Sequence, residues 1–174
     1  MREPVQLTGV ERVFDPDSVI VSKTNLQGVI TYANRTFLEV SEYRESEVVG
    51  KPHNMIRHPD MPRCIFRLLW ETLKGGHEMF AYVVNRTRLG NHYWVLAHVT
   101  PSLDAEQRLV GFHSNRRVPD RTALETVIVP LYARLRAAEH AAPDPEAGLR
   151  ASTDLLHRML QDKGVGYDQF IFSA

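Results

Sequence analysis

The chain is predicted to form an α+β domain, on the order of its β-rich and helical runs, a polar proline-rich segment between them, and a globular composition. Two β-branched runs come first, short helical stretches and one longer amphipathic helix follow, and three β-rich runs come last. Gathering the helices in one connection leaves the strands to pair antiparallel, with the helices on one face of the sheet. With 174 residues, 43% hydrophobic and 24% charged, the chain can bury one ordinary core and still carry an appendage of two helices.

Residues 1–17, broken by Pro4, Gly9 and Pro16, read as an N-terminal cap or arm. Val19 to Thr24 is β-branched, Asn25-Leu26-Gln27-Gly28 has turn chemistry, and Val29 to Ala33 completes a hairpin. After Asn34 the pattern becomes helical through Phe37, Leu38 and Val40, and an acidic turn over Glu42–Val48 leads to Gly50.

Lys51-Pro52-His53-Asn54-Met55-Ile56-Arg57-His58-Pro59-Asp60-Met61-Pro62 is the most informative stretch of the chain. Each proline removes a backbone donor and restricts the residue before it, so this is a shaped, irregular wall carrying Arg, His and Asp side chains. Such walls commonly face a ligand or a partner. Asp60 is placed to cap the next helix, with Pro62 in its first turn. Phe66, Leu69, Trp70 and Leu73 give that helix one apolar face, and Gly75-Gly76 stops it.

The second set of strands reads as Met79–Arg88, His92–Pro101 and Arg108–Asn115. Residues 121–138 follow as a helix with Leu124, Val127, Ile128, Leu131 and Leu135 on one side, and Pro130 implies a kink or two short helices. Ala141 to Pro145 is a linker, Leu149–Lys163 a last amphipathic helix, and Tyr167 to Phe172 an apolar tail. The domain reading is an arm over 1–17, a sensor domain over 18–118 and a helical extension over 119–174. The extension either docks a partner or packs back on the domain.

Several function classes are excluded or disfavoured. Lys+Arg and Asp+Glu balance at 21 each, which gives no electrostatic case for nucleic acid or an anionic surface. Cys64 is the only cysteine, so no disulfide framework or thiolate cluster exists. No apolar run approaches the ~18 residues of a membrane span, so the chain reads as cytoplasmic. Hydrolase, P-loop and metalloprotease motifs are absent, and the expectation is a non-enzyme. His53 and His58 are five apart with Pro59 adjacent, unlike a helical i, i+4 metal pair.

The chain resembles a PAS domain, and more closely the FAD-binding PAS domain of bacterial aerotaxis (energy-taxis) receptors. The resemblance rests on Gly28 to Asn34, Gly50 to Pro62, Phe66, Trp70, Leu73-Lys74-Gly75, Asn85-Arg86, Gly90 to Val95, Gly111 and Val129 to Tyr132, spanning roughly residues 18–138. It implies a five-stranded antiparallel sheet whose concave face, closed by short helices, holds FAD. The residues it ties to the flavin are Asn34, Arg57, His58 and Asp60, and His53, Trp70 and Met79 complete the candidate set. Arg57 offers a planar fork to a pyrophosphate or a flavin carbonyl, and His58 a charge that responds to reduction. The family carries a tryptophan in the third strand where this chain has Met79.

The resemblance further implies a redox or energy-state sensor that signals through contact. The receptors' membrane anchor and signalling region have no counterpart in this sequence. The expected partner is therefore a separate chemotaxis-type transducer or another PAS chain, and a homodimer is expected. Two alternatives remain open. One is a cofactor-free interaction module, and the other a haem b sensor using His92, His98 or His113. Cys64 reads as a small packed residue, because its neighbours do not look like the light-sensing PAS motif.

Overall fold

A computed structural model of the protein describes residues 5–174, so the first four residues of the predicted arm lie outside the described residues. Five strands form one antiparallel sheet in the order β2-β1-β5-β4-β3. They are β1 Ile20–Asn25, β2 Ile30–Ala33, β3 Met79–Arg86, β4 His92–Leu103 and β5 Leu109–Arg117. The strands are those the β-branched runs predict, except that β1, β2 and β5 begin one residue later, β1 ends one residue later, β3 ends two residues earlier, and β4 and β5 each run two residues further. The α+β expectation, with short helices between β2 and β3, describes the molecule.

The β1–β2 hairpin turns where Asn25 and Gly28 allow it. Asn25 Oδ1 accepts the backbone N–H groups of Gln27 and Val29. Gly28 takes a left-handed φ of 74° that a side chain would strain. Next come α1 Arg35–Ser41 and α2 Glu45–Val48, the second forming where an acidic turn was predicted. A 3₁₀ turn, His53–Ile56, and α3 Arg63–Lys74 complete the connection. Phe37, Ile30, Val48, Ile56 and Ile65 are buried together against the inner face of the sheet.

The Lys51–Pro62 segment crosses from one outer strand of the sheet to the other. At β2, the N–H of Ile30 donates to Lys51 O at 2.9 Å, and the N–H of Gly50 donates to Ile30 O at 2.8 Å. At the far side Arg57 pairs with Asn85 of β3. Asp60 does not cap α3: the N-cap is Pro62, which has no capping side chain.

The C-terminal part is helical throughout. A short α4 Arg121–Ala123 runs through a π-helical turn, Leu124–Ile128, into α5 Val129–Ala141, followed by α6 Pro145–Lys163 and α7 Tyr167–Ser173. The π turn precedes Pro130, which lacks an N–H and whose ring would strike the carbonyl four residues back. The expected kink or break into two short helices takes the form of a short α4 and a π turn ahead of α5. The apolar tail is α7, with Phe170 and Ile171 buried. These helices pack along the β3 edge of the sheet, α5 and α6 against α3 and α7 against β3. Phe172 meets Phe80 edge-on at 4.7 Å, and Tyr132 donates its hydroxyl to Tyr82 O at 2.6 Å. They thereby cover an edge strand whose unpaired backbone would otherwise invite association. No helix among the described residues is long and apolar enough to cross a membrane.

Candidate functional site

Strand alternation turns Ser22, Val83, Asn85, Ala97, Phe112, Ser114 and Arg116 toward the inner face of the sheet. They line a cavity of about 230 Å³ closed on the other side by α3 and the Lys51–Pro62 segment. Trp70 and Phe66 of α3 form its apolar wall, and the Trp70 ring stands edge-on to Phe112 at 5.3 Å. Gly28 completes this wall from behind, since a Cβ there would meet the Trp70 ring at 3.6 Å.

The polar end of the cavity centres on Arg116, which is 3% exposed. Its Nη2 donates at 2.7 Å to both Ser22 Oγ and His53 Nε2. A guanidinium only donates, so His53 Nε2 is the acceptor and the imidazole is neutral with its proton on Nδ1. His53 is half-buried as a residue, and its Nε2 is engaged by both Arg116 and Ser22. Burial first, and the charge of Arg116 second, hold the His53 pKa down to about 3. Burial also lowers Arg116 to about 10. No carboxylate pairs with Arg116 among the described residues; the Phe37 ring lies 5.7 Å away.

Three buried donors on this wall have no partner among the described residues: Arg116 Nη1, Asn85 Nδ2 and Ser114 Oγ. Unsatisfied buried donors are costly, and a buried cation without a counter-charge more so. Arg116 and Ser114 lie near one another on β5, and Asn85 lies further along the sheet wall beside Arg57, so the wall offers donors to acceptors spread along an elongated ligand, with an anion or acceptor best placed at Arg116. The volume is below the roughly 300–1,000 Å³ usual for whole drug-sized ligands. It suits a planar ring system wedged between Trp70 and the sheet, with any tail lying outside.

Of the residues singled out from the sequence, the structure brings His53, Arg57 and Trp70 onto the cavity. The Arg57 guanidinium lies over the Phe66 ring at 4.6 Å and donates to Met61 O at 3.2 Å. Asn34 lies elsewhere. Its Oδ1 accepts from the N–H of Val21 and of Phe37, and its Nδ2 donates to Val19 O, so it caps α1 and ties it to β1. Met79 is buried in β3 opposite Val99. His58 faces away from the cavity, its Nδ1 accepting the Asp60 N–H, and Asp60 pairs with Arg136 of α5 at 2.6 Å.

Arg116 and Ser114 were not singled out from the sequence, and Asn85 was named only as carrying the resemblance, not as a site residue. The signal was present in β5, where Phe112, Ser114 and Arg116 alternate with His113 and Asn115, but it appears only once the strand runs past Asn115. None of His92, His98 and His113 lines the cavity. His98 bonds Glu78 at 2.6 Å, and the His92 ring lies 5.7 Å from that of His58. Cys64 is buried away from the cavity, and burial raises its pKa to about 11.

Comparison with known proteins identifies the family. A family model described as the PAS fold matches residues 30–115. The chain is similar to the aerotaxis receptor of Escherichia coli strain K12, 43% identical over 122 residues, which covers 70% of this chain and 24% of that protein. It is 33% identical over 98 residues to the biofilm dispersion protein BdlA of Pseudomonas aeruginosa, covering 56% of this chain and 21% of that protein. The chain therefore spans less than a quarter of the length of either relative. Among solved structures, the light state of the blue-light photoreceptor Aureochrome1 LOV superposes with a TM-score of 0.56 at 18% identity, covering 63% of this chain and 88% of that one. That likeness concerns the fold alone.

Proposed function

Residues 30–115 are a PAS domain, and from that membership we propose that the chain is a sensor that binds FAD non-covalently and reports redox or energy state. The observation that carries this reading is Arg116, a buried guanidinium with no counter-charge, on a cavity wall that holds two further unpaired donors. A bound flavin would supply a flat, acceptor-rich ring whose charge and hydrogen bonding change on reduction. The 43% identity to an aerotaxis receptor is in keeping with a redox or energy-state sensor, and a light-oxygen-voltage domain studied with a flavin analogue shares the fold at 17% identity and a TM-score of 0.56.

The chain's residues take distinct roles in this reading. Trp70 and Phe66 stack against the ring, Arg116 with Ser114 donates to its polar edge, Asn85 donates further along the wall beside Arg57, and His53 holds Arg116 in place. Arg57 guards the exit. Asn34, His58, Asp60 and Met79 shape the surrounding wall. Because Arg116 is held through His53, a change of charge in the cavity is felt by the Lys51–Pro62 segment. That segment meets α5 through Asp60 and Arg136, which gives the signal a path to the C-terminal helices. The receiver would be a chemotaxis-type transducer, another PAS chain or a second copy of this one.

The test is the visible absorption spectrum of the purified protein with identification of any flavin released on denaturation. Flavin bands and released FAD are expected. A protein that stays colourless after refolding with FAD would sink the flavin reading and favour the cofactor-free one. A Soret band would favour haem.

A further inference from the structure

A flavin ring bound as proposed would take up the cavity of about 230 Å³, so the remainder of a dinucleotide would lie outside it. Asn54 and Arg57 line the cavity and also an open groove of about 800 Å³. This groove runs between the Lys51–Pro62 segment, the end of β3 and the C-terminal helices. It gathers the guanidinium groups of Arg57, Arg63, Arg86 and Arg136, with the imidazoles of His58 and His140.

The carboxylates nearby are already engaged. Glu139 accepts from Arg63 and Cys64, and Asp144 Oδ1 accepts the N–H groups of Glu146 and Ala147 at the start of α6. Asp60 pairs with Arg136. Arg57 and Arg86 have no carboxylate partner among the described residues. The Nε of Arg136 is buried with no acceptor. Two guanidinium groups with no carboxylate, Arg57 and Arg86, and the unpartnered Nε of Arg136, next to a ring-sized cavity, match a diphosphate.

We propose that this groove holds the diphosphate of the dinucleotide, with Arg86 of β3 and Arg136 of α5 as its phosphate-binding side chains. The proposal rests on the flavin reading and adds that α5, outside the span matched by the PAS family, completes the cofactor site. The ring alone would then occupy the cavity without engaging α5, whereas the dinucleotide bridges sheet and C-terminal helices.

The experiment titrates the full chain, stripped of flavin, with riboflavin, FMN and FAD at low and high salt. Wild type is compared with Arg86→Ala, Arg86→Lys and Arg136→Ala. FAD is expected to bind more tightly than riboflavin and to weaken with salt. Each alanine substitution should weaken FAD about tenfold or more, as loss of a charge-assisted contact does, and leave riboflavin unchanged. Arg86→Lys should recover part of the loss. Equal losses for riboflavin and FAD, or none, would overturn the groove. Wild type that binds all three flavins alike without salt dependence keeps the flavin reading and removes the groove. Wild type that binds none removes the flavin reading, and with it the diphosphate assignment.

Discussion

The Glu139 carboxylate accepts the backbone N–H of Arg63 at 2.7 Å across 76 residues of chain. The same oxygen accepts the Cys64 N–H at 3.2 Å and the Ser152 hydroxyl at 3.0 Å, while Oε2 meets Arg63 Nε at 3.3 Å. Helix α3, which walls the cavity, begins at a proline and has no local cap, so its first amides are satisfied by a carboxylate from α5. A negative charge also complements the helix N-terminus there. The cavity helix and the C-terminal helices are therefore one hydrogen-bonded unit.

Glu139→Ala should lower the stability of the chain by about 2 kcal/mol, because it strips a cap and leaves buried donors unpaired. Glu146→Ala is the contrasting surface case. Glu146 is highly exposed and, among the described residues, its side chain pairs only with Arg150, so its loss should be near zero. Urea unfolding of the two variants checks the difference, and equal midpoints would remove Glu139 as the cap.

Arg116→Met separates stability from binding. Replacing a buried unpaired guanidinium by an apolar chain of similar length should leave the flavin-free protein as stable or more stable by about 1–2 kcal/mol. Flavin occupancy should fall. Melting of the stripped protein and flavin content after purification measure the two effects. A variant that loses stability and keeps its flavin would show that Arg116 serves the fold instead.

Local chemistry made most of the fold legible before the structure. β-branched runs located the strands, Asn25 and Gly28 located the hairpin, and Phe66, Leu69, Trp70 and Leu73 located α3. Non-local partners were not legible. Asp60 sits at the right spacing to cap α3, yet it turns to Arg136, and the cap arrives from Glu139, whose sequence position gives no hint of it. The site divides the same way. His53, Arg57 and Trp70 stood out as unusual residues in a shaped segment or on an apolar face. Asn85, Ser114 and Arg116 look like ordinary strand residues until the sheet brings them to one wall. Asn34 marked its place in the motif, but its polar atoms are all spent on α1 and β1.

Stability should fall as pH drops below neutrality. The folded His53 pKa is held near 3 by burial and by Arg116, while the unfolded residue titrates near 6.5. Between those values the unfolded chain binds a proton that the folded chain does not, so the His53 contribution is present above about 6.5 and is lost towards about 3. One such group sets a slope of up to ~1.4 kcal/mol per pH unit. His58, lowered chiefly by burial, acts in the same direction. His53→Gln should flatten the curve of unfolding free energy against pH between 6.5 and about 4. An unchanged slope would place the acid sensitivity elsewhere.

The seam between α5 and α6 supplies the last test, because one glycine sets it. Gly148 lies in α6, and a Cβ built there would collide with the Glu139 carbonyl oxygen and approach Arg63 Nη2 at 3.0 Å. The carbonyl belongs to helical backbone and cannot turn aside, so Gly148→Ala must push α6 away from α5. That movement also pulls Ser152 from the Glu139 carboxylate. The expected loss is about 1–3 kcal/mol, the usual cost of overpacking. Hydrogen exchange should rise first in α6, α7 and the first turn of α3, with the central strands β4 and β5 protected longest. Uniform loosening of the sheet together with the helices would mean that the C-terminal helices are not a separable unit. An unaffected protein would mean that α5 and α6 do not approach this closely in solution.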